Sequence, residues 1–257
     1  MNARRRWLAN TLLGGVLLAL GGLAAGMPAL HGVFAALFPG LARPVYLQES
    51  FVSLLLAHLG LVAASSLAAL AVGLGLGIGV TRRAGQEFKP LVQSLCALAQ
   101  TVPPVAVLAI AAPLIGLGER PALLALAVYG LFPILQASIA GLETVSPASC
   151  DAARGLGMTA RQLLLQIELP QALPVILSGL RTSVGINIGT AAIASAVGAQ
   201  TLGTPIVIGL VGFNTAYVLQ GALMVGLLAV AVDLVFERLQ HQVERRLGRR
   251  AALEPTA

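Results

Sequence analysis

The residues that could do covalent chemistry are few in this chain of 257 residues, and they stand far apart. His31, His58 and His241 share no H-E-x-x-H or other metal-ligand spacing, and no G-x-S-x-G places a nucleophilic serine on a turn. Cys96 and Cys150 form no C-x-x-C and read as small apolar residues. A phosphate-cradling loop needs G-x-x-x-x-G-K-[ST], but the only lysine, Lys89, is followed by Pro90. The sequence therefore offers no catalytic residue, no metal site and no nucleotide site of that type, and His58 reads as a packed or interfacial side chain. What does cluster is a polar insert: Asp151-Ala152-Ala153-Arg154-Gly155-Leu156-Gly157, then Met158-Thr159, ending in Ile167-Glu168-Leu169-Pro170. Small side chains, one acid–base pair and a glycine turn suit contact with a partner, not bond making.

The insert has its own local logic. Ser146-Pro147 reads as an N-cap with proline in the first turn of a short helix. Asp151 and Arg154, three apart, can pair on its surface. Gly157 breaks the run, as a turn with positive φ requires. Thr159 opens a second helix through a capping box with Gln162. Leu163, Leu164 and Ile167 form an apolar stripe, and Pro170 is expected to end the helix because the residue before a proline avoids the helical region. A hairpin with a striped helix fits a partner helix site, and equally an amphipathic connector resting on headgroups.

The elements that must hold this insert are set by composition. Hydrophobic types make up 57% and charged types 10%, with a mean hydropathy of +0.89. A soluble domain carries roughly 25% charged residues, so this chain is built for lipid. Six stretches are long and apolar enough to cross a bilayer, at about 7–26, 51–80, 90–116, 121–142, 173–198 and 214–236, which predicts an all-α transmembrane fold. The stretch 205–213 is apolar but short, and is expected to be re-entrant or interfacial on the outer side. With the N-terminus inside, Arg4–Arg6, Arg82, Arg83, Lys89, Arg154, Arg161, Arg238, Arg245, Arg246, Arg249 and Arg250 are cytoplasmic, against Arg43 and Arg120 outside. Both termini and the insert are then cytoplasmic. The net charge of +6 is spread in short clusters between apolar runs, which gives topology and not a nucleic-acid face.

Within the spans, Gly73, Gly75, Gly77 and Gly79 alternate in one helix, for close packing or for flexibility, and Pro103-Pro104 should kink the third. Arg181, near the inner end of the fifth span, would snorkel to the interface or touch the insert. Gln100, Gln136, Asn187, Thr190 and Ser195 are polar positions inside spans that could line a pathway or bond between helices. Residues 1–26 also carry the basic start and apolar middle of a signal peptide, though a retained helix fits a polytopic protein.

The insert is similar to the EAA loop of the permease subunits of bacterial ABC importers: Asp151-Ala152-Ala153, three residues, Gly157, nine residues, then Ile167-x-Leu169-Pro170. Asp151 stands where that pattern has glutamate. The stretches flanking it, "GLGERPALLALAVYGLFPILQASIAGLETVSPASCDAARGLGM" and "LPVILSGLRTSVGINIGTAAIASAVGA", resemble the glycine betaine, carnitine and choline branch, so that the likeness runs over about 48–237. The resemblance implies a type I importer (MetI-like) core of five helices over 50–237. A signal-like membrane helix at 1–26, an extracytoplasmic segment at 27–49 and a basic cytoplasmic tail at 238–257 would complete the chain.

It further implies that Asp151, Ala152, Ala153 and Gly157 dock and turn a coupling helix in a groove of a cytoplasmic ABC ATPase, while Ile167, Leu169 and Pro170 anchor the second helix on the bundle. ATP would be used by that partner and not bound here. An extracytoplasmic substrate-binding protein would read the solute. A second permease copy or paralogue would complete the pathway in a bacterial inner membrane. The sequence "GAQTLGTPI" departs from the family's Gly-rich turn at Gln200 and Thr201. An ABC permease for another small solute, such as an amino acid or a sulfonate, fits the same loop. An ion-coupled secondary transporter would need ionisable groups near the midplane, and the acids here are in loops or near span ends.

Overall fold

The structure, a computed structural model, describes residues 3–251, with side chains for 10–247. The cationic positions Arg4, Arg5, Arg6, Arg249 and Arg250 fall outside the described side chains. The described backbone is helical, as expected for a chain whose peptide groups must be satisfied internally in lipid. Its elements are α1 (Ala3–Gly26), α2 (His31–Leu37), α3 (Phe51–Thr81), α4 (Lys89–Thr101), α5 (Pro104–Ile115), α6 (Glu119–Glu143), α7 (Pro147–Gly155), α8 (Ala160–Leu163), α9 (Leu169–Ile193), α10 (Thr204–Val211) and α11 (Thr215–Ala251).

Among the described residues, five helical stretches are long and apolar enough to cross a membrane: Asn10–Leu37, Phe51–Thr81, Glu119–Glu143, Ala160–Val197 and Thr215–Leu247. The sixth expected span is not one helix. Gln86–Thr101 and Pro104–Ile115 meet at 90°. Pro103 is extended, with φ −57° and ψ 139°, and caps α5, so the two prolines make a corner and not a mild kink. The first span also differs from its expected limits. A 3-10 turn, Met27–Leu30, carries Pro28 near its start, where a missing N–H costs nothing, and the chain continues into α2.

The core is a three-helix sandwich in which α6 packs along α3 and α9. Small residues allow it. A Cβ on Gly77 would lie 2.6 Å from Ser138 Cβ, and one on Gly179 2.3 Å from Ala137 Cβ and 2.7 Å from the Pro133 carbonyl. Gly73 likewise meets Ile134, whereas Gly75 and Gly79 face open space. The four alternating glycines thus split, and the packing role belongs to the pair spaced by four.

Residues 38–50 form a strap that closes α1–α2 onto α11. Gln220 is fully buried and staples it from both ends of its amide: Nε2 donates to the Pro44 carbonyl at 2.7 Å and Oε1 accepts from Tyr46 N at 3.1 Å. Asn214 adds a bond to the Arg43 carbonyl at 2.8 Å. The apolar stretch at 205–213 is α10 and the turn after it, packed on α11.

The turn before α10 shows why Thr201 is accommodated. It is fully buried, and its hydroxyl donates to the Ala191 carbonyl at 3.0 Å and accepts from Gly203 N at 3.0 Å. Gly203 is the residue that cannot change, since a Cβ there would sit 1.9 Å from the Ala192 carbonyl.

Candidate functional site: the hairpin between α6 and α9

The polar insert folds as two short helices. Helix α7 starts after Ser146 as expected, but Ser146 makes no side-chain cap bond and Pro147 alone sets the first turn. Arg154 Nη1 meets Asp151 Oδ1 at 2.7 Å on the outer face. Gly157 turns the chain at φ +81°, with open space where a Cβ would stand, so only backbone strain forbids a side chain there. The capping box is formed: Thr159 N donates to Gln162 Oε1 at 2.9 Å, and Gln162 N to Thr159 Oγ1 at 3.3 Å.

The inner face of the hairpin is closed. Val145, Cys150, Ala153 and Leu163 form a small core, flanked by Met158 and Ile167. Leu164 and Leu169 pack instead on Leu142, Ala172 and Ile176 of the bundle. The expected stripe is therefore spent on holding the hairpin, and Ala153 belongs to this buried side while Ala152 is exposed. What the hairpin presents outward is Asp151, Ala152, Arg154, Gly155 and Leu156, the last 82% exposed. An exposed leucine at a turn tip beside two charges gave no periodicity signal.

Pro170 does not end the helix. Leu169 is α-helical, at φ −62° and ψ −44°, and α9 runs on through it. The residues before it, Leu164–Glu168, form one turn of π-helix. Widening a turn moves the carbonyls away from the proline ring and tolerates its missing N–H, so helix α8 passes into α9 without a break.

The most buried acid in the described chain sits in that wide turn. Glu168 receives Arg82 as a fork, Nη1–Oε1 at 3.1 Å and Nη2–Oε2 at 2.6 Å, with side-chain exposures of 10% and 38%. Arg82 is the residue just after α3, so this pair ties the hairpin's root to the end of the first core helix. Lys89 Nζ and Glu143 Oε1, 2.5 Å apart, tie the start of α4 to the end of α6. Between these ties and the hairpin lies a polar cleft of about 640 Å³, lined by Arg83, Glu143, Arg154 and Met158 among others. Both pairs join residues far apart in the chain, so no sequence spacing shows them.

The five polar positions in spans are not brought to one place. Gln100 donates to the Tyr129 carbonyl at 2.8 Å. That carbonyl stands four residues before Pro133, which has no N–H to give it, so Gln100 of α4 replaces the missing helix donor. Gln136 accepts from Gln93 at 2.8 Å, again between α4 and α6. Asn187 is fully buried and donates to Ser66 Oγ at 3.0 Å and, more weakly, to Ser65 Oγ at 3.4 Å. Thr190 is buried in α9, and Ser195 bonds Thr201 at 2.7 Å. Arg181 does not have the hairpin as its partner: it forks onto Asp233 of α11, at 2.5 and 2.6 Å, and reaches Gln240 at 3.2 Å. Gln100→Leu should cost roughly 1 kcal/mol by orphaning a buried carbonyl. Adding Pro133→Ala, which restores the backbone donor, should recover it in thermal unfolding of the detergent-solubilised protein.

Comparison with known proteins follows this geometry. The family described as "binding-protein-dependent transport system inner membrane component" matches residues 69–249. The chain is 41% identical over 176 residues to the osmoprotectant import permease protein OsmY of Salmonella typhimurium, covering 68% of this chain and 75% of that protein. It is 37% identical over 193 residues to OsmW, an osmoprotectant import permease protein of the same organism, covering 73% and 89%. It is also 37% identical over 146 residues to the glycine betaine/carnitine/choline transport system permease protein OpuCB of Bacillus subtilis, covering 57% and 67%. Among solved structures, an inward-facing MetNI methionine ABC transporter chain superposes with TM-score 0.67 at 22% identity, over 75% of this chain and 95% of that one. A chain of a bacterial alginate ABC transporter in complex with a pentasaccharide-bound periplasmic protein superposes with TM-score 0.55 at 17% identity, over 95% and 96%. The helical core around α3, α6 and α9 is thus a type I ABC importer fold, and the chain belongs to the family of binding-protein-dependent transport system inner membrane components.

Proposed function

We propose that this chain is the membrane-embedded subunit of an ATP-driven importer for osmoprotectants of the glycine betaine, choline or carnitine class. The observation that carries the coupling part is the α7–α8 hairpin. Its inner face is fixed by its own small core and by the Arg82–Glu168 fork, while Asp151, Ala152, Arg154 and Leu156 are left facing outward. A rigid, outward-facing knob at the arginine-rich end of a membrane bundle suits a groove on a separate ATPase. That subunit would bind and hydrolyse ATP, an extracytoplasmic binding protein would deliver the solute, and a second permease copy or paralogue would close the pathway. The solute class is supported by what the names of similar permeases say. The positive-inside rule puts the hairpin and both termini in the cytoplasm of a cell whose inner membrane holds the complex.

Reconstitution tests the reading. Proteoliposomes carrying this chain with its ATPase and binding protein should accumulate labelled glycine betaine or choline only when ATP is supplied on the hairpin side. Accumulation driven by an ion gradient without nucleotide would overturn it. Orientation has a separate test. Leu156→Cys should react with a membrane-impermeant maleimide in inverted vesicles and not in intact spheroplasts, while the buried Cys96 and Cys150 stay largely unlabelled.

A further inference from the structure

Aromatic residues make up only 4% of the chain, yet three of them meet at one point. The Tyr46 ring is edge-on to Phe51 at 5.8 Å and to Tyr217 at 5.5 Å between centroids. This cluster sits where the strap enters α3. The hairpin lies beyond the other end of that 31-residue helix, about 45 Å away at 1.5 Å per residue. Against the cluster opens a cavity of about 240 Å³, walled by Ala25, Pro28, Tyr46, Glu49, Ser50 and Phe51.

Two of the residues that wall the cavity carry a polar atom without a partner. Tyr46 is 1% exposed, and its hydroxyl is buried without a hydrogen bond. Glu49 Oε2 is also buried and unbonded, and Glu49 joins no ion pair among the described residues. Burial, and then the negative charge of Glu49, push the Tyr46 phenol up to about 12, so it stays protonated and a donor. A buried carboxylate oxygen with neither cation nor donor is an unmet demand.

The chemistry of the walls narrows what could meet it. Calcium takes roughly six to eight oxygens, and this cavity offers one carboxylate and two hydroxyls. A primary ammonium brings three N–H groups, and most of the wall, including Ala24, Ala25, Pro28, Leu47 and Val52, offers side chains that accept none of them. A methylated ammonium has no N–H to satisfy. It presents methyl groups that suit alanine, proline and aromatic walls, and its charge is favoured by the carboxylate and by ring π-systems. The Tyr46 hydroxyl can then donate to an oxygen on the same ion.

We propose that this cavity binds a small methylated ammonium ion bearing an oxygen acceptor, with the Glu49 carboxylate as counter-ion and the Tyr46 hydroxyl as donor. The proposal takes its solute class to be that of the importer reading above, and adds that the permease itself holds the solute at this end of the bundle. The site lies ahead of the residues that the family match covers, so it is not a feature of that match.

The test is equilibrium binding of radiolabelled choline, and of tetramethylammonium, to the purified full chain in lipid nanodiscs. Saturable binding of both is expected. Glu49→Gln should weaken both by at least roughly tenfold. Tyr46→Phe should weaken choline by about fivefold and leave tetramethylammonium unchanged, because only choline offers an oxygen. Glu49→Asp, which keeps the charge, should retain part of the binding and guards against a folding defect in the glutamine variant. No saturable binding by wild type, or equal binding by wild type and Glu49→Gln, overturns the site. Uptake by the reconstituted importer separates the two readings. Choline uptake without binding at this cavity overturns the site alone, whereas Glu49-dependent binding with no ATP-driven osmoprotectant uptake overturns the transport reading alone.

Discussion

Arg82→Ala should destabilise the protein more than Glu168→Ala, although the two remove the same ion pair. A fully buried pair broken from one side costs roughly 3–5 kcal/mol, because the charge left behind has neither water nor partner. Here the survivors differ. With Glu168 removed, Arg82 keeps its 38% exposure and rehydrates, so the loss should be about 1–2 kcal/mol. With Arg82 removed, Glu168 stays at 10% exposure inside the π-turn, and the loss should be about 3 kcal/mol. Thermal unfolding in detergent reads this order directly. Glu168→Gln, which removes the charge but keeps one acceptor oxygen for Arg82, should lose less than Glu168→Ala. The charge-reversed double variant Arg82→Glu/Glu168→Arg should recover part of the stability, since the fork geometry can form with its ends exchanged. Equal losses for the two alanine variants would mean that the fork is no more than a surface pair.

Leu156→Asp should do the opposite: leave the permease's own stability within about 0.5 kcal/mol and abolish its partnership. Leu156 is 82% exposed and supports nothing inside the chain. If the hairpin tip seats in an ATPase groove, a carboxylate there meets apolar surface, and about 2 kcal/mol or more of docking is lost, roughly thirtyfold in affinity. Co-purification of the ATPase with the variant, and ATP-driven uptake in proteoliposomes, should both fail while the melting curve is unchanged. Gly157→Val tests the same knob through its backbone. Open space surrounds the position, so the fault would be strain at φ +81° and not a clash. Normal assembly by both variants would remove the hairpin from the coupling reading.

Most of the architecture was legible because lipid allows few solutions. Long apolar runs had to be helices, and five of the six expected spans are present as such within a few residues of their limits or longer. The capping box at Thr159, the glycine turn at 157 and the Asp151–Arg154 pair follow from local spacing, and local spacing is what a sequence displays. The failures have one physical source: they depend on what a distant segment supplies. Pro103-Pro104 became a 90° corner because α4 and α5 each find their own seat on α6. Pro170 lost its helix-ending role to a π-turn anchored by a residue 86 positions earlier. For Gln100 the sequence left a pathway position and a bond between helices both open, and its partner, a carbonyl exposed by a proline in another helix, shows only in the fold. Arg181 found its acid in α11, 52 positions on, and not in the hairpin. Glu168 itself gave no signal, since an acid in an apolar stripe shows its worth only once Arg82 is beside it.

The π-turn at Leu164–Glu168 holds, in effect, one amino acid more than an ordinary coil would need. Excising the exposed Gln166 would tighten it to standard winding. Each residue of an α-helix advances the azimuth by about 100°, so everything upstream would swing by that much about the axis of α9. The outward knob would then point along the bundle's flank, with its chemistry intact and its aim lost. The length of this chain between Gly157 and Pro170 is therefore an angular setting, and a single-codon deletion there should silence the protein without altering any residue that a partner touches.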